Sequence, residues 1–269
     1  MKILFIGGGN MATALIGGIL QQGGSAGDIR VVEVVEAARA SLQQRYGVHV
    51  ESAVPAQLSV DEIVVLAVKP QQLQIVAQGL APHLAGQLVV TIAAGISTAA
   101  LSRWLGGYGR IVRVMPNTPA MLRAGVSALF AMASVDAQGR EQAQAVLDSV
   151  GTTLWVDREE LMDAVTAVSG SGPAYVFYFM EAMIGAAQDL GLTPEQARQL
   201  TLETFAGAAA LARHSDEPPQ VLRARVTSKG GTTERAVSVL QAEQVGAKLA
   251  AAIRQAAQRS RELGESLGQ

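Results

Sequence analysis

Lys2-Ile-Leu-Phe-Ile-Gly-Gly-Gly-Asn-Met-Ala12 decides the fold. Ile3 to Ile6 reads as a short buried strand, and the glycines after it open a helix from about Asn10. Gly7 to Ala12 fits G-x-G-x-x-A between the two. Gly7 permits the tight turn, Gly9 lets a pyrophosphate approach the backbone, and Ala12 lets helix and strand pack closely. The free N–H groups and partial positive charge of the helix N-terminus suit phosphates. The string alone is weak. Its place between strand and helix favours dinucleotide binding over a glycine turn that binds nothing.

Outward from this loop the pattern repeats. Ile29–Val35, Ile63–Val68, Leu88–Ile92 and Arg110–Val114 read as strands, alternating with helices over Ala37–Arg45, Gln71–Leu80 and Thr98–Leu105. That alternation predicts a doubly wound parallel sheet. Strand signals stop after about residue 155. Pro173–Leu190 is helical, and Thr193-Pro-Glu-Gln196 supplies a cap, a first-turn proline and a glutamine three residues after the cap, for a helix to about His214. Two more helices follow around Thr227–Gly231. The expectation is an α/β + all-α chain: a Rossmann-type domain over residues 1–158 and an all-helical domain over residues 159–269.

Composition narrows the chemistry. The chain has 269 residues, 49% of them hydrophobic and 16% charged, with a net charge of −2. It has ample core and no basic surplus for nucleic acid. It has no cysteine, so disulfides, thiolate nucleophiles and cysteine-bound zinc are excluded. His49, His83 and His214 are far apart, and no metal site is expected. Ile3–Leu20 is mostly apolar, but Lys2 is its only positive charge, Gly7–Asn10 splits it and no clear cleavage site follows, so a signal peptide is not expected. No run of about 20 apolar residues indicates a spanning helix. Cytoplasm is the default location.

Glu33 sits where strand two should end and the adenosine ribose is read. A carboxylate there accepts from the 2′-hydroxyl and repels a 2′-phosphate, which favours NADH; the alternative is that Glu33 points elsewhere and Arg39 or Arg30 serves a phosphate. Other chemistries fail on spacing. Ser169-Gly-Ser-Gly172 lacks the glycine that G-x-S-x-G needs two residues before its serine. Lys229-Gly-Gly-Thr232 is not a Walker loop. The helix Gly172-Pro-Ala-Tyr-Val-Phe-Tyr-Phe-Met180 carries no lysine to act as the base of a hydroxy-acid dehydrogenase, and Tyr175 or Tyr178 is a weak substitute. An imine substrate needs less, because once protonated it accepts hydride directly. Thr227-Ser-Lys-Gly-Gly-Thr-Thr233 combines hydroxyls, flexible glycines and a helix start, as an anion site for a carboxylate does; an ordinary capped helix is the alternative.

With these residues in view the chain resembles pyrroline-5-carboxylate reductase over essentially its whole length. The resemblance is carried by Phe5–Met11, Ala67-Val-Lys-Pro70, Ala93-Ala-Gly95, Arg113-Val-Met-Pro-Asn-Thr-Pro119, Ser169–Tyr175 and, most specifically, Val226–Leu240. It implies reduction of 1-pyrroline-5-carboxylate to L-proline, the last step of proline biosynthesis, by NADPH or NADH, with NADPH the usual family choice. Ile6, Gly7, Gly8, Gly9, Asn10 and Met11 would hold the pyrophosphate. Ala67, Val68, Lys69 and Pro70, with Ile92, Ala93 and Ala94, would line the path to the nicotinamide, near Asn117; Lys69 is otherwise read as a solvated lysine. Ser228, Gly230, Gly231 and Thr232 would bind the substrate carboxylate, Thr233 the ring nitrogen, and Glu159 would be a more distant substrate contact. The resemblance also implies a homodimer through the helical domain, commonly built into decamers, with active sites completed by partner helices.

Three departures stand out. Glu33-Val34 replaces the Asn-Arg or small hydroxyl residue of many members, Arg225 stands where Asn is common, and Val54 where Asn often is. Two other readings share the fold: a dinucleotide-binding regulator without turnover, and a reductase for another cyclic imine or hydroxy acid.

Overall fold

The computed structural model describes residues 1–268. In chain order its elements are β1 (Ile3–Ile6), α1 (Asn10–Gln21), β2 (Ile29–Val32), α2 (Glu36–Tyr46), β3 (His49–Glu51), β4 (Ile63–Leu66), α3 (Pro70–Leu80), β5 (Leu88–Thr91), α4 (Thr98–Trp104), β6 (Ile111–Met115), β7 (Gly125–Ala131), α5 (Ala137–Asp148), β8 (Gly151–Trp155), α6 (Leu161–Val165), α7 (Gly172–Asp189), α8 (Pro194–Arg213), α9 (Pro219–Arg225), α10 (Thr232–Ala242) and α11 (Val245–Leu267). Two compact units result. The first holds residues 1–171 and 255–269, the second residues 172–254.

The first unit is built on one eight-stranded sheet in the order β3-β2-β1-β4-β5-β6-β7-β8. Every neighbouring pair is parallel except β6 and β7, which run antiparallel. Successive side chains alternate between two buried faces, which explains why the central strands read as unbroken apolar runs. Ile3, Phe5 and Val65 meet Leu15, Ile16 and Val146 on one face. Leu4, Ile6 and Leu66 meet Leu73, Leu101 and Trp104 on the other. The chain crosses from one face to the other between β1 and β4, so a crevice opens beyond their carboxyl ends.

The second unit is helical. Gly191, at φ +98°, turns α7 into α8, and Thr193 and Gln196 form the reciprocal capping box that the sequence predicts. Glu195, in the first turn of α8, is held below the usual carboxylate range, chiefly by a backbone amide. In the isolated chain α7 buries none of its residues, and Phe177, Tyr178, Leu200 and Leu211 are exposed.

Several sequence expectations need correction. The sheet is larger than five strands and not wholly parallel. β3 and β8 are edge strands without a continuous apolar run, while β7 turns back beside β6. β2 ends at Val32, leaving Glu33 to Val35 in the following loop. Three helices follow Asp216, not two, because Gln244, at φ +54°, breaks α10 from α11. The second compact unit starts at Gly172, inside the helical domain expected over residues 159–269. Val165–Gly170 stay with the sheet: Asn117 Nδ2 donates to the Ser169 carbonyl, 3.2 Å away. The end of α11 also belongs to the first unit, where Ser260 Oγ donates to Asp163 Oδ1 at 2.6 Å.

Candidate active site

The glycine loop takes the shape that a diphosphate requires. Gly7 sits at φ +101°, and a Cβ there would lie 2.8 Å from the Ala67 carbonyl oxygen. Its amide donates to the Val32 carbonyl at 2.8 Å, tying β1 to β2. A Cβ on Gly9, by contrast, would meet nothing within 4 Å. The side without a side chain therefore opens on free space at the start of α1. Gly7→Ala carries left-handed strain plus a backbone clash, a cost of about 1–3 kcal/mol. It is expected to lower the thermal midpoint and weaken NADH binding about tenfold, read by nicotinamide fluorescence.

The loop borders a cavity of about 450 Å³ at the carboxyl ends of β1, β2 and β4. Ile6, Gly7, Gly9, Glu33, Ala67, Val68 and Lys69 line it, as do Val54, Ile75 and Val76, which make an apolar wall suited to an adenine ring. Ser52, Ala53 and Gln72 also line it and were not anticipated; they come from the β3–β4 connection and α3, where no motif marks them. The other cofactor candidates lie outside this cavity. Gly8, Asn10 and Met11 are on the loop and the first turn of α1, Pro70 opens α3, and Ile92, Ala93 and Ala94 follow β5.

Glu33 is fixed in place. Its Oε2 accepts the Gly8 amide at 2.9 Å and its Oε1 the Val35 amide at 2.8 Å, while Arg39 donates to its main-chain carbonyl at 2.6 Å. Each oxygen keeps lone-pair capacity for a further donor. The alternative phosphate ligands are committed elsewhere. Arg30 pairs with Glu51 at 2.8 Å and Glu62 at 3.4 Å, and neither Arg30 nor Arg39 lines the cavity. Lys69 is its one cationic lining residue among those described; its backbone caps α3 and its side chain is exposed.

Asn117 and Glu159 have duties that the sequence did not reveal. Asn117 Oδ1 accepts the Val126 amide at 2.9 Å while its Nδ2 donates to Ser169, so its amide stitches three segments together. Glu159 engages Thr98 and the buried Arg113.

In the second unit, Gly230, at φ +74°, reverses the chain before α10. The expected row of free amides is only partly available. The Gly230 amide is taken by Glu234 Oε2 at 2.7 Å and that of Gly231 by the Ser228 carbonyl at 3.0 Å. The first helical bond runs from the Arg235 amide to Gly231. The amides of Thr232 and Thr233 precede it and have no protein acceptor among the described residues. Thr233 is half-buried, and its hydroxyl has no partner among the described residues. Thr166, Thr227 and Ser238 instead bond back to a carbonyl four residues earlier. Arg225, on α9, is held by Glu217 at 2.6 Å.

Known proteins match this arrangement. The family model described as pyrroline-5-carboxylate reductase dimerisation matches residues 159–263, and one described as NADP oxidoreductase coenzyme F420-dependent matches residues 2–95. A pyrroline-5-carboxylate reductase of Pseudomonas aeruginosa is 49% identical over 269 residues, covering 100% of this chain and 98% of the relative. The chain belongs to the pyrroline-5-carboxylate reductase family.

The solved reductase of Coxiella burnetii superposes with a TM-score of 0.92 at 39% identity, covering 97% of this chain and 98% of that one. The Plasmodium falciparum enzyme, solved with NADP bound, gives 0.85 at 26% identity and covers 98% of each chain. The family is one of NAD(P)H-dependent oxidoreductases, and the cavity beside Gly9 fits such a cofactor. Among the described residues no helix is long and apolar enough to cross a membrane, and no group of three or more His, Asp or Glu residues is placed to hold a metal ion.

Proposed function

We propose that this chain reduces 1-pyrroline-5-carboxylate to L-proline, prefers NADH, and works as a homodimer or as a decamer built from such dimers in the cytoplasm. The observation that carries the reading is the Val226–Thr233 turn. At the start of α10 it leaves the amides of Thr232, Thr233 and Glu234 and the Thr233 hydroxyl without a protein partner among the described residues. That set matches a small molecule with one carboxylate and one ring nitrogen.

Each residue then has a task. The Thr232 and Thr233 amides bind the carboxylate, with Ser228 at the rim of the turn. Gly230 and Gly231 serve by shaping the turn, since their own amides are already bonded. The Thr233 hydroxyl orients the ring nitrogen, which enters the reaction protonated. In the first unit the Gly7–Gly9 loop and the first turn of α1 hold the diphosphate, and Glu33 takes the adenosine ribose. Ala67 to Pro70, Ile92 to Ala94 and Asn117 frame the nicotinamide end. When bound, the dihydronicotinamide supplies the hydride. The protein contributes orientation and exclusion of water, terms large enough to carry a reaction whose electrophile needs no further activation. The exposed apolar residues of α7 and α8 supply the dimer surface.

The test is dihydronicotinamide absorbance loss on adding racemic pyrroline-5-carboxylate, run against other cyclic imines and a 2-oxo acid. Proline formation at the highest kcat/KM of the panel is expected. A better substrate elsewhere in the panel, or cofactor binding without turnover, would refute the reading.

A further inference from the structure

We propose that Glu159 and Gly264 brace the turn between β5 and α4 at two separate points, and that Glu159 is a positioning residue rather than a contact for the substrate. The proposal rests on the reading above, in which Ala93 and Ala94 border the nicotinamide. Ile92, Ala93 and Ile96 anchor the two ends of that turn in the core, but Ala94 and Gly95 between them carry no side chain able to hold their own position, so the neighbouring groups set it.

One point is the Glu159 carboxylate, at the start of α4. Oε1 accepts the Thr98 amide at 2.7 Å and Arg113 Nη1 at 2.8 Å, and Oε2 accepts the Thr98 hydroxyl at 2.6 Å. Thr98 is 4% exposed and Arg113 7%. Arg113 lies on β6, in register with Thr91, the last residue of β5 before the turn. A carboxylate only accepts hydrogen bonds, and here three donors converge on it. A glutamine would turn an NH₂ toward at least one of them. Losing either charge would strand the other in a poorly solvated site.

The other point is on α11. A Cβ on Gly264 would fall 2.6 Å from the Gly95 carbonyl oxygen, so helix and turn touch backbone to backbone. Gly95 itself sits at φ +81°. The helix end is pinned independently. Ser260 bonds Asp163, Arg103 donates to the Gly268 carbonyl, and Leu267 packs against the core beneath α4. The turn is thus held by an ionised side chain and a fixed helix. A displacement of about 1 Å at a reacting centre is enough to slow hydride transfer greatly.

The experiment uses the full-length enzyme and three single variants, Glu159→Gln, Gly264→Ala and Thr98→Val. Hydrogen–deuterium exchange of the peptide spanning 92–98 is followed without cofactor. kcat, the KM for pyrroline-5-carboxylate and the isotope effect with 4-deuterated NADH are then measured. Glu159→Gln and Gly264→Ala are each expected to speed exchange in that peptide, lower kcat about tenfold and raise the isotope effect, with the substrate KM within twofold. Thr98→Val is expected to show the same changes more weakly. A raised substrate KM with unchanged kcat in Glu159→Gln, and a silent Gly264→Ala, would overturn the brace and make Glu159 a substrate contact. If Glu159→Gln does not fold, Gly264→Ala and Thr98→Val decide alone, and unchanged exchange and kcat in both overturn it. A wild-type enzyme inactive on pyrroline-5-carboxylate refutes the reaction instead. The exchange data still judge the brace in that case, because they need no turnover.

Discussion

Wild-type enzyme is expected to show a kcat/KM for NADH about 10²-fold above that for NADPH, and Glu33→Gln is expected to remove most of that gap. The carboxylate cannot swing aside, because Gly8 and Val35 amides hold one oxygen each. A 2′-phosphate would bring a second anion beside it. Two unit charges about 5 Å apart at an effective dielectric near 20 repel by roughly 3 kcal/mol, and partial solvent exposure of Glu33 discounts this to about 10²-fold. In Glu33→Gln the repulsion goes, while Lys69, the cavity's cationic lining residue, remains to favour a phosphate. NADPH should gain tenfold or more. NADH should lose a few-fold, because one of the two amides loses its acceptor. Equal kcat/KM for both cofactors in the wild type would defeat the carboxylate argument. The Plasmodium relative with NADP bound makes this a contrast within one family.

Thr233→Ala is expected to lower kcat/KM for pyrroline-5-carboxylate by about 10²-fold with the Kd of NADH unchanged. A hydrogen bond to a charged group is worth about 1.5–3 kcal/mol, and one made to the reacting nitrogen is expressed in the transition state. The hydroxyl is free for this role because it lies in the first turn, where no helical carbonyl stands four residues before it. Thr233→Ser keeps the hydroxyl and should retain most of the activity. An unchanged kcat/KM in Thr233→Ala would remove the side chain from the mechanism and leave only its amide.

The glycine loop and the α10 turn were legible in sequence because each is a local signal. Gly7, Gly9, Gly230 and the capping box at Thr193 follow from backbone conformations and helix ends within a few residues. Glu33 was legible as a residue type at a strand end, but its two amide partners were not, since one of them lies on a different strand–helix turn. The protein partners of Glu159 and Asn117 were illegible for the same reason. Their resemblance-based roles place them at the ligand, whereas their polar atoms engage Thr98, Arg113, Val126 and Ser169, all brought near by the sheet.

By itself the sequence determined the β/α alternation, the dinucleotide loop, the helical second half and the absence of cysteine chemistry, because periodicity, glycine and composition act over short distances. Tertiary structure alone decided which amides are already bonded, which arginines are already paired, and that the last helix closes against the Gly95 turn. Those outcomes depend on long-range packing. No spacing rule encodes that Gly264 must lack a side chain to meet the Gly95 carbonyl in the turn after β5.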